Sequence, residues 1–245
     1  MDSPPQRVPS ATRPAIDPGQ VETWIFDLDN TLYPASCNLF AQVDRLMGMF
    51  IQELLSLGPE EARRLQKRYF REHGTTLRGL MNHHDVDPEA FLDFVHRIDF
   101  SVIEPSPALD AALAALDGRK LVFTNATKQY AERVLNRIGV GHHFEAIFDI
   151  VAADYRPKPE RESYHCLIQQ HGIDPTRAVL VEDIARNLAP AAELGMTTVW
   201  VPNDTDWSRD GAEDGHIHHV TEDLADWLSA LVALAPAAEA SPTTG

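Results

Sequence analysis

Cysteine is nearly absent: Cys37 and Cys166 are the two in 245 residues. They exclude a disulfide framework, lack metal-ligand spacing, and point to a reducing compartment. Long apolar runs are missing too, and no stretch reaches the ~20 residues a membrane-spanning helix needs. Residues 1–19 are rich in Pro, Ser and Thr and carry no apolar signal core. Basic residues are scarce, 21 Lys and Arg against 37 Asp and Glu, for a net charge of -16. That balance argues against a nucleic-acid polymer or an anionic membrane as partner. It leaves room for a small phosphorylated ligand, because a lysine and a metal ion can reverse the field inside a pocket. The expectation is a soluble cytoplasmic protein.

What is present is globular. Hydrophobic residues make up 44% of the chain and charged residues 24%, the usual proportions of a folded domain. Tails are expected at 1–19 and 236–245, where composition is polar and aperiodic. Between them short apolar runs alternate with helical patterns. Strands are predicted at 21–26, 120–124, 147–152, 178–181 and 197–201. Helices are predicted at 107–116, 128–138, 159–170, 184–194 and 222–234, with Pro190 weakening the fourth. Repeated strand–helix–strand units imply an α/β fold, a doubly wound parallel sheet covered on both faces.

Residues 34–104 break the rhythm and show no strand signal. Leu39, Phe40, Val43, Leu46, Met47, Phe50, Ile51, Leu54 and Leu55 keep helical spacing. Further helices are predicted at 59–73 and 76–83, and one starting at Asp87-Pro88-Glu89. This gives an all-helical cap inserted into a core of 20–33 and 105–235, placed to exclude water from the strand ends.

Four polar sites fall at or just past predicted core strands: Asp27 with Asp29, Thr124-Asn125, Lys158 within Tyr-Arg-Pro-Lys-Pro, and Glu182-Asp183. Side chains at i and i+2 of a strand share a face, so Asp27 and Asp29 are expected to aim at one crevice. In open parallel sheets that crevice, beyond the carboxyl ends of the strands, is the ligand site. Two carboxylates, a hydroxyl, a cation and a further acidic pair are the parts phosphoryl transfer needs. Each part alone has an ordinary reading as a helix cap, a turn or a surface lysine. Their recurrence in order at strand ends gives them weight.

With its Asp-Leu-Asp-Asn-Thr-Leu stretch and these partners, the chain resembles the haloacid dehalogenase superfamily of phosphatases over nearly all of residues 21–235. The resemblance implies a Rossmann-like core and an aspartyl-phosphate formed on Asp27. It makes Asp29 the proton donor and acceptor, and has Thr124 and the backbone beside Asn125 hold the phosphoryl oxygens while Lys158 stabilises charge. It implies Mg2+ on the Asp27 carboxylate, the Asp29 main-chain carbonyl and Asp183, with Glu182 acting through water. Asp-Asn-Thr-Leu-Tyr-Pro, Thr-Thr-Leu-Arg-Gly-Leu at 75–80, Val-His-Arg-Ile-Asp at 95–99 and Glu-Asp-Ile-Ala-Arg-Asn at 182–187 resemble the pyrimidine 5′-nucleotidase branch. The expected substrate is therefore a pyrimidine nucleoside monophosphate. Phosphoglycolate, a sugar phosphate, phosphomutase chemistry and carbon–halogen hydrolysis stand as alternatives. Asp29 argues against the last, since dehalogenases of the family lack that aspartate. Ala126 departs from the glycine that often follows Thr-Asn in relatives, and would be costly at positive φ.

Beyond these motifs, Arg78 is a candidate for substrate binding from the cap, and Asn187 for orienting a catalytic group. His83-His84 reads as a surface turn. His96 and Asp99 read as a local i,i+3 pair. His216, His218 and His219 lack the acidic or thiol company of a metal site.

Overall fold

The computed structural model describes residues 16–205 and 207–234. Six parallel strands, β1 (Thr23–Phe26), β2 (Arg119–Phe123), β3 (Ala146–Phe148), β4 (Ala178–Glu182), β5 (Thr197–Trp200) and β6 (His219–Val220), form one sheet in the order β3-β2-β1-β4-β5-β6. β1 and β4 are buried along their whole length, which is why both read as continuous apolar runs. Successive β1 residues alternate between faces. Trp24 and Phe26 join one core cluster with Val122, Val179 and Val181, while Ile25 joins the other with Phe123, Tyr164 and Leu180.

The first face carries α5 (Pro107–Ala115), α6 (Lys128–Ile138) and α9 (Leu224–Ala233); the second carries α7 (Arg161–His171) and α8 (Ala185–Glu193). Pro190 lies inside α8 without ending it. A proline loses its own N–H and crowds the carbonyl four residues back, but the turn after it is intact, with Leu194 donating to the carbonyls of Pro190 and Ala191. The predicted strand at 147–152 stops at Phe148, because Asp149 turns the chain and accepts from the N–H groups of Lys128 and Ala152.

Between β1 and β2 run α1 (Leu39–Leu55), α2 (Pro59–His73), α3 (Thr76–His84) and α4 (Pro88–Val95). Proline at their first turns starts α2 and α4, and the Thr75 side chain caps α3 by accepting from the Arg78 N–H. Their apolar stripes meet at Val43, Ile51, Leu80, Phe91 and Leu92 in the first core cluster. Within the expected N-terminal tail, residues 18–20 form a short 3-10 turn capped by Asp17; residues 1–15 and 235–245 lie outside the described part. Among the described residues no helix is long and apolar enough to cross a membrane.

Two local readings change. His83 and His84 are the last residues of α3, not a turn, and His84 Nε2 meets the Tyr69 hydroxyl at 2.7 Å. His96 and Asp99 do not pair. The helix ends at Val95, so their helical spacing is lost, and Asp99 instead accepts from the N–H and hydroxyl of Ser101.

Candidate active site

Chain order places the site. From β1 the chain moves outward through β2 and β3, then returns to lay β4 on the other side of β1. Such a reversal opens a crevice at the carboxyl ends of the strands. Asp27, Thr124 and Glu182-Asp183 all stand there, each one residue past or at the end of β1, β2 or β4.

Asp27 continues the ladder for one residue, its N–H donating to Val181 O. The chain then turns: Leu32 N–H donates back to Leu28 O, and Asn30 takes a φ of 61°. Asp29 therefore sits in a turn rather than on a strand, and strand alternation does not account for its placement. Both aspartates nonetheless line one cavity. Their carboxyls have different partners. Asp27 accepts from Lys158 Nζ at 2.6 Å and Thr31 Oγ1 at 2.9 Å. Asp29 Oδ1 accepts from the hydroxyls of Tyr33 at 2.5 Å and Tyr130 at 2.7 Å.

Lys158 is 1% exposed. Its ammonium uses all three protons, on Asp27, on Glu182 Oε2 at 2.6 Å and on Phe123 O at 2.9 Å. The Asn125 side chain clamps the lysine's backbone, accepting from Lys158 N–H and donating to Lys158 O. Asn125 thus serves the lysine with its side chain, and only its main chain is left to face a ligand. Thr124 Oγ1 accepts from the Ala126 N–H, which leaves its hydroxyl hydrogen to donate. Ala126 does not adopt positive φ, so the glycine expected there is not required. Glu182 accepts from Lys158 Nζ and from the Ile184 N–H.

Asp183 is 2% exposed. Its carboxylate accepts from Asn203 Nδ2 at 2.8 Å, and its carbonyl from Trp200 Nε1 and Ser208 Oγ. Oxygens of Asp27, Glu182 and Asp183 lie within 4.8 Å of one another. Burial, then repulsion from Glu182, push Asp27 up to about 7 despite Lys158. The same two causes push Asp183 well above the ordinary carboxylate range. Burial also raises Asp29, against the pull of its tyrosine hydrogen bonds. Burial alone would lower Lys158, but Asp27 and Glu182 outweigh it and hold the ammonium charged. Three buried carboxyls face one ammonium; when all three are ionised they leave two negative charges over, which a divalent cation would cancel. The Asn187 Oδ1 atom is buried without a protein partner and borders the same cavity. The donors are all oxygens, the set a hard cation takes, so the residues fit magnesium.

The cavity lies between the strand ends and α1–α4 and is partly open to solvent. Its far wall is aromatic and aliphatic: Phe40, Met47, Phe70, Phe91 and Trp207. Polar groups interrupt it, among them Asp44, which accepts from Lys67 Nζ and Gln66 Nε2 at 2.7 and 2.8 Å. Arg78 does not border this cavity; its Nε lies 3.4 Å from Glu160, beside the Lys158 loop. The partners of Asp183 and Asp29, namely Asn203, Ser208, Tyr33 and Tyr130, carried no signal in the sequence beyond the four-residue step from Asp29 to Tyr33.

A parallel sheet with a buried carboxylate just past its first strand and a helical insert between its first two strands is the layout of a known hydrolase class, and comparison agrees. The family model for haloacid dehalogenase-like hydrolases matches residues 21–195; the chain belongs to that family. It is 25% identical over 228 residues to Phosphate metabolism protein 8 of Saccharomyces cerevisiae, covering 86% of this chain and 64% of the yeast protein. It is 30% identical over 127 residues to the fructose-1-phosphate phosphatase YqaB of Escherichia coli, covering 49% of this chain and 65% of YqaB. The chain thus spans a little under two thirds of the length of each curated relative. Among solved structures, the L-2-haloacid dehalogenase of Xanthobacter autotrophicus superposes with a TM-score of 0.56 at 14% identity, over 88% of this chain and all of that one. YfnB of Bacillus subtilis, in a structure bound to magnesium, superposes with a TM-score of 0.55 at 13% identity, over 86% of this chain and 98% of its own. At such identities these two speak for the fold alone.

Proposed function

We propose that the protein is a magnesium-dependent phosphomonoester hydrolase that works through an aspartyl-phosphate, with a pyrimidine nucleoside 5′-monophosphate as substrate. The observation that carries the chemistry is the buried set of Asp27, Lys158, Glu182 and Asp183, with Asp29 beside it in one cavity. A carboxylate oxygen of Asp27 attacks phosphorus; the ester P–O bond breaks and its electron pair stays on the leaving oxygen. Asp29 gives that oxygen a proton. Water then attacks the phosphorus of the aspartyl-phosphate and yields a proton to Asp29, which returns phosphate and the Asp27 carboxylate. Thr124 and the main chain at Asn125 donate to the phosphoryl oxygens, and Lys158 offsets the charge shared by Asp27 and the incoming group. The carboxylates of Asp27 and Asp183 and the main-chain carbonyl of Asp29 would hold magnesium, which when bound neutralises charge around the phosphoryl group.

The far wall supports an aromatic ring in the leaving group. Trp207 packs on Phe40 and Phe70, with ring centroids 6.4 and 6.2 Å away and planes at 55° and 70°, so the wall offers an aromatic surface against which a base can lie. Asp44, Gln66 and Lys67 supply donors and an acceptor for its polar edge. The fructose-1-phosphate phosphatase relative favours a second reading, a sugar phosphate. Asp29 disfavours dehalogenation, which has no leaving oxygen to protonate. A phosphatase screen with magnesium over nucleotides, sugar phosphates and phosphoglycolate, ranked by kcat/KM, tests both. Uridine or cytidine monophosphate should lead, and Asp27→Asn should abolish turnover. Release of phosphate from no member by folded protein would refute the phosphatase reading; a sugar phosphate in the lead would refute the nucleotide one.

A further inference from the structure

Asp29 has a property the reaction alone does not require: two phenols on one carboxylate oxygen. Tyr33 lies four residues on, in the same turn, and Tyr130 lies on α6, 101 residues away. Both are buried, at 4% and 2% exposure, and both hydroxyls converge on Oδ1. Tyr130 is itself seated: the His96 ring, at the end of α4, stacks on it at 4.4 Å and 29°. His96 Nδ1 meets Thr127 Oγ1, the cap of α6, at 3.3 Å.

A carboxyl that must deliver a proton has two equivalent oxygens and a freely turning bond. Two donors on Oδ1 remove that freedom. Oδ1 becomes the acceptor, so the transferable proton belongs on Oδ2, and the carboxyl plane is fixed relative to Asp27. When Oδ2 has given its proton to the leaving oxygen, the two O–H groups keep their own protons and stabilise the new carboxylate by hydrogen bonds. We infer that Tyr33 and Tyr130 are positioning residues that fix which oxygen of Asp29 transfers the proton, with His96 tying that arrangement to the helical insert. This rests on the phosphatase reading, and neither tyrosine touches the reacting phosphorus.

Leaving-group dependence tests it, because a weakly basic leaving group needs little help from an acid and a more basic one needs much. Wild type, Tyr33→Phe and Tyr130→Phe are compared by kcat/KM on p-nitrophenyl phosphate and phenyl phosphate with magnesium. The two substrates differ by a para-nitro group, which makes the leaving phenolate less basic; comparing each variant with wild type on the same substrate cancels its effect on binding to the wild-type pocket, and kcat/KM reports the steps through departure of that group. In each variant, kcat/KM for phenyl phosphate should fall about tenfold further than for p-nitrophenyl phosphate, a fraction of what general acid catalysis supplies. A purely structural effect would lower both alike. The rings remain in place, and the two positions lie on separate segments, so one variant still reads if the other fails to fold. An unchanged ratio in an active, folded variant overturns the tyrosine assignment while leaving the phosphatase reading intact. A wild type inactive on both substrates overturns the phosphatase reading and this inference with it.

Discussion

A lysine that is 1% exposed survives in this core because two carboxylates and a carbonyl meet its three protons. The same contacts leave the acids overcrowded. Burial and mutual repulsion raise Asp27 to about 7 from 3.8 and raise Asp183 as well. A raised carboxyl stabilises the ion-free fold fully below its unfolded value, near 3.8, and that contribution is lost as pH rises to about 7. His96 works in the opposite sense. Burial, then Arg133, lower it to about 4 from 6.5, so its stabilisation is present above the unfolded value and lost as pH falls. The cation contribution is separated from the histidine by comparing magnesium with EDTA at each pH. Magnesium should raise Tm little at pH 5 and progressively more through pH 7 and above, since it must displace protons from these carboxyls. A shift independent of pH would contradict this. At this scale the sequence marked Asp27 and Asp183, each beside a strand end, and Lys158 within its proline-flanked loop, and the structure brings the three together. It did not disclose Tyr130 or Asn203. Those act on residues 101 and 20 positions away, and a side chain that far off leaves no periodic trace.

Helices and strands were legible where one physical cause dominated. α2 and α6 run over the residues their caps and apolar spacing predict, from Pro59 to His73 and from Lys128 to Ile138. β3 was overextended, because Ile150 remains apolar past the Asp149 turn and alternation alone cannot see a side-chain cap. The association of α2 with α3 depends on a residue that pattern reading would dismiss. A Cβ on Gly79 would stand 2.4 Å from the Tyr69 ring, so α3 approaches α2 only because that position is bare. Gly79→Ala gains helix propensity on α3 yet must push Tyr69 aside. The expected net effect is a loss of about 1–3 kcal/mol, the usual cost of overpacking. Denaturant unfolding checks it; an unchanged or stabilised variant would show that the two helices part without cost.

For the molecule as a whole, the -16 net charge repels polymeric anions, while the acids at the strand ends surround one lysine and fit one cation. The small phosphate ester proposed as substrate is compatible with those terms, because one lysine and one cation can offset its charge locally. The sheet order was inferable only as parallel alternation; which strands neighbour β1 required coordinates, because pairing of β1 with β4 joins residues 155 positions apart, Thr23 to Ala178. That pairing brings Asp183 to Asp27 and makes the site. In the proposed mechanism phosphorus becomes bonded to a carboxyl oxygen of Asp27 during turnover. Acid quench of the wild-type protein with magnesium and p-nitrophenyl phosphate, followed by peptide mass spectrometry, detects that bond. The prediction is a phosphoryl group on the peptide bearing Asp27, at Asp27, and none in Asp27→Asn. Phosphate release without any such adduct, or an adduct on a different residue, would contradict it.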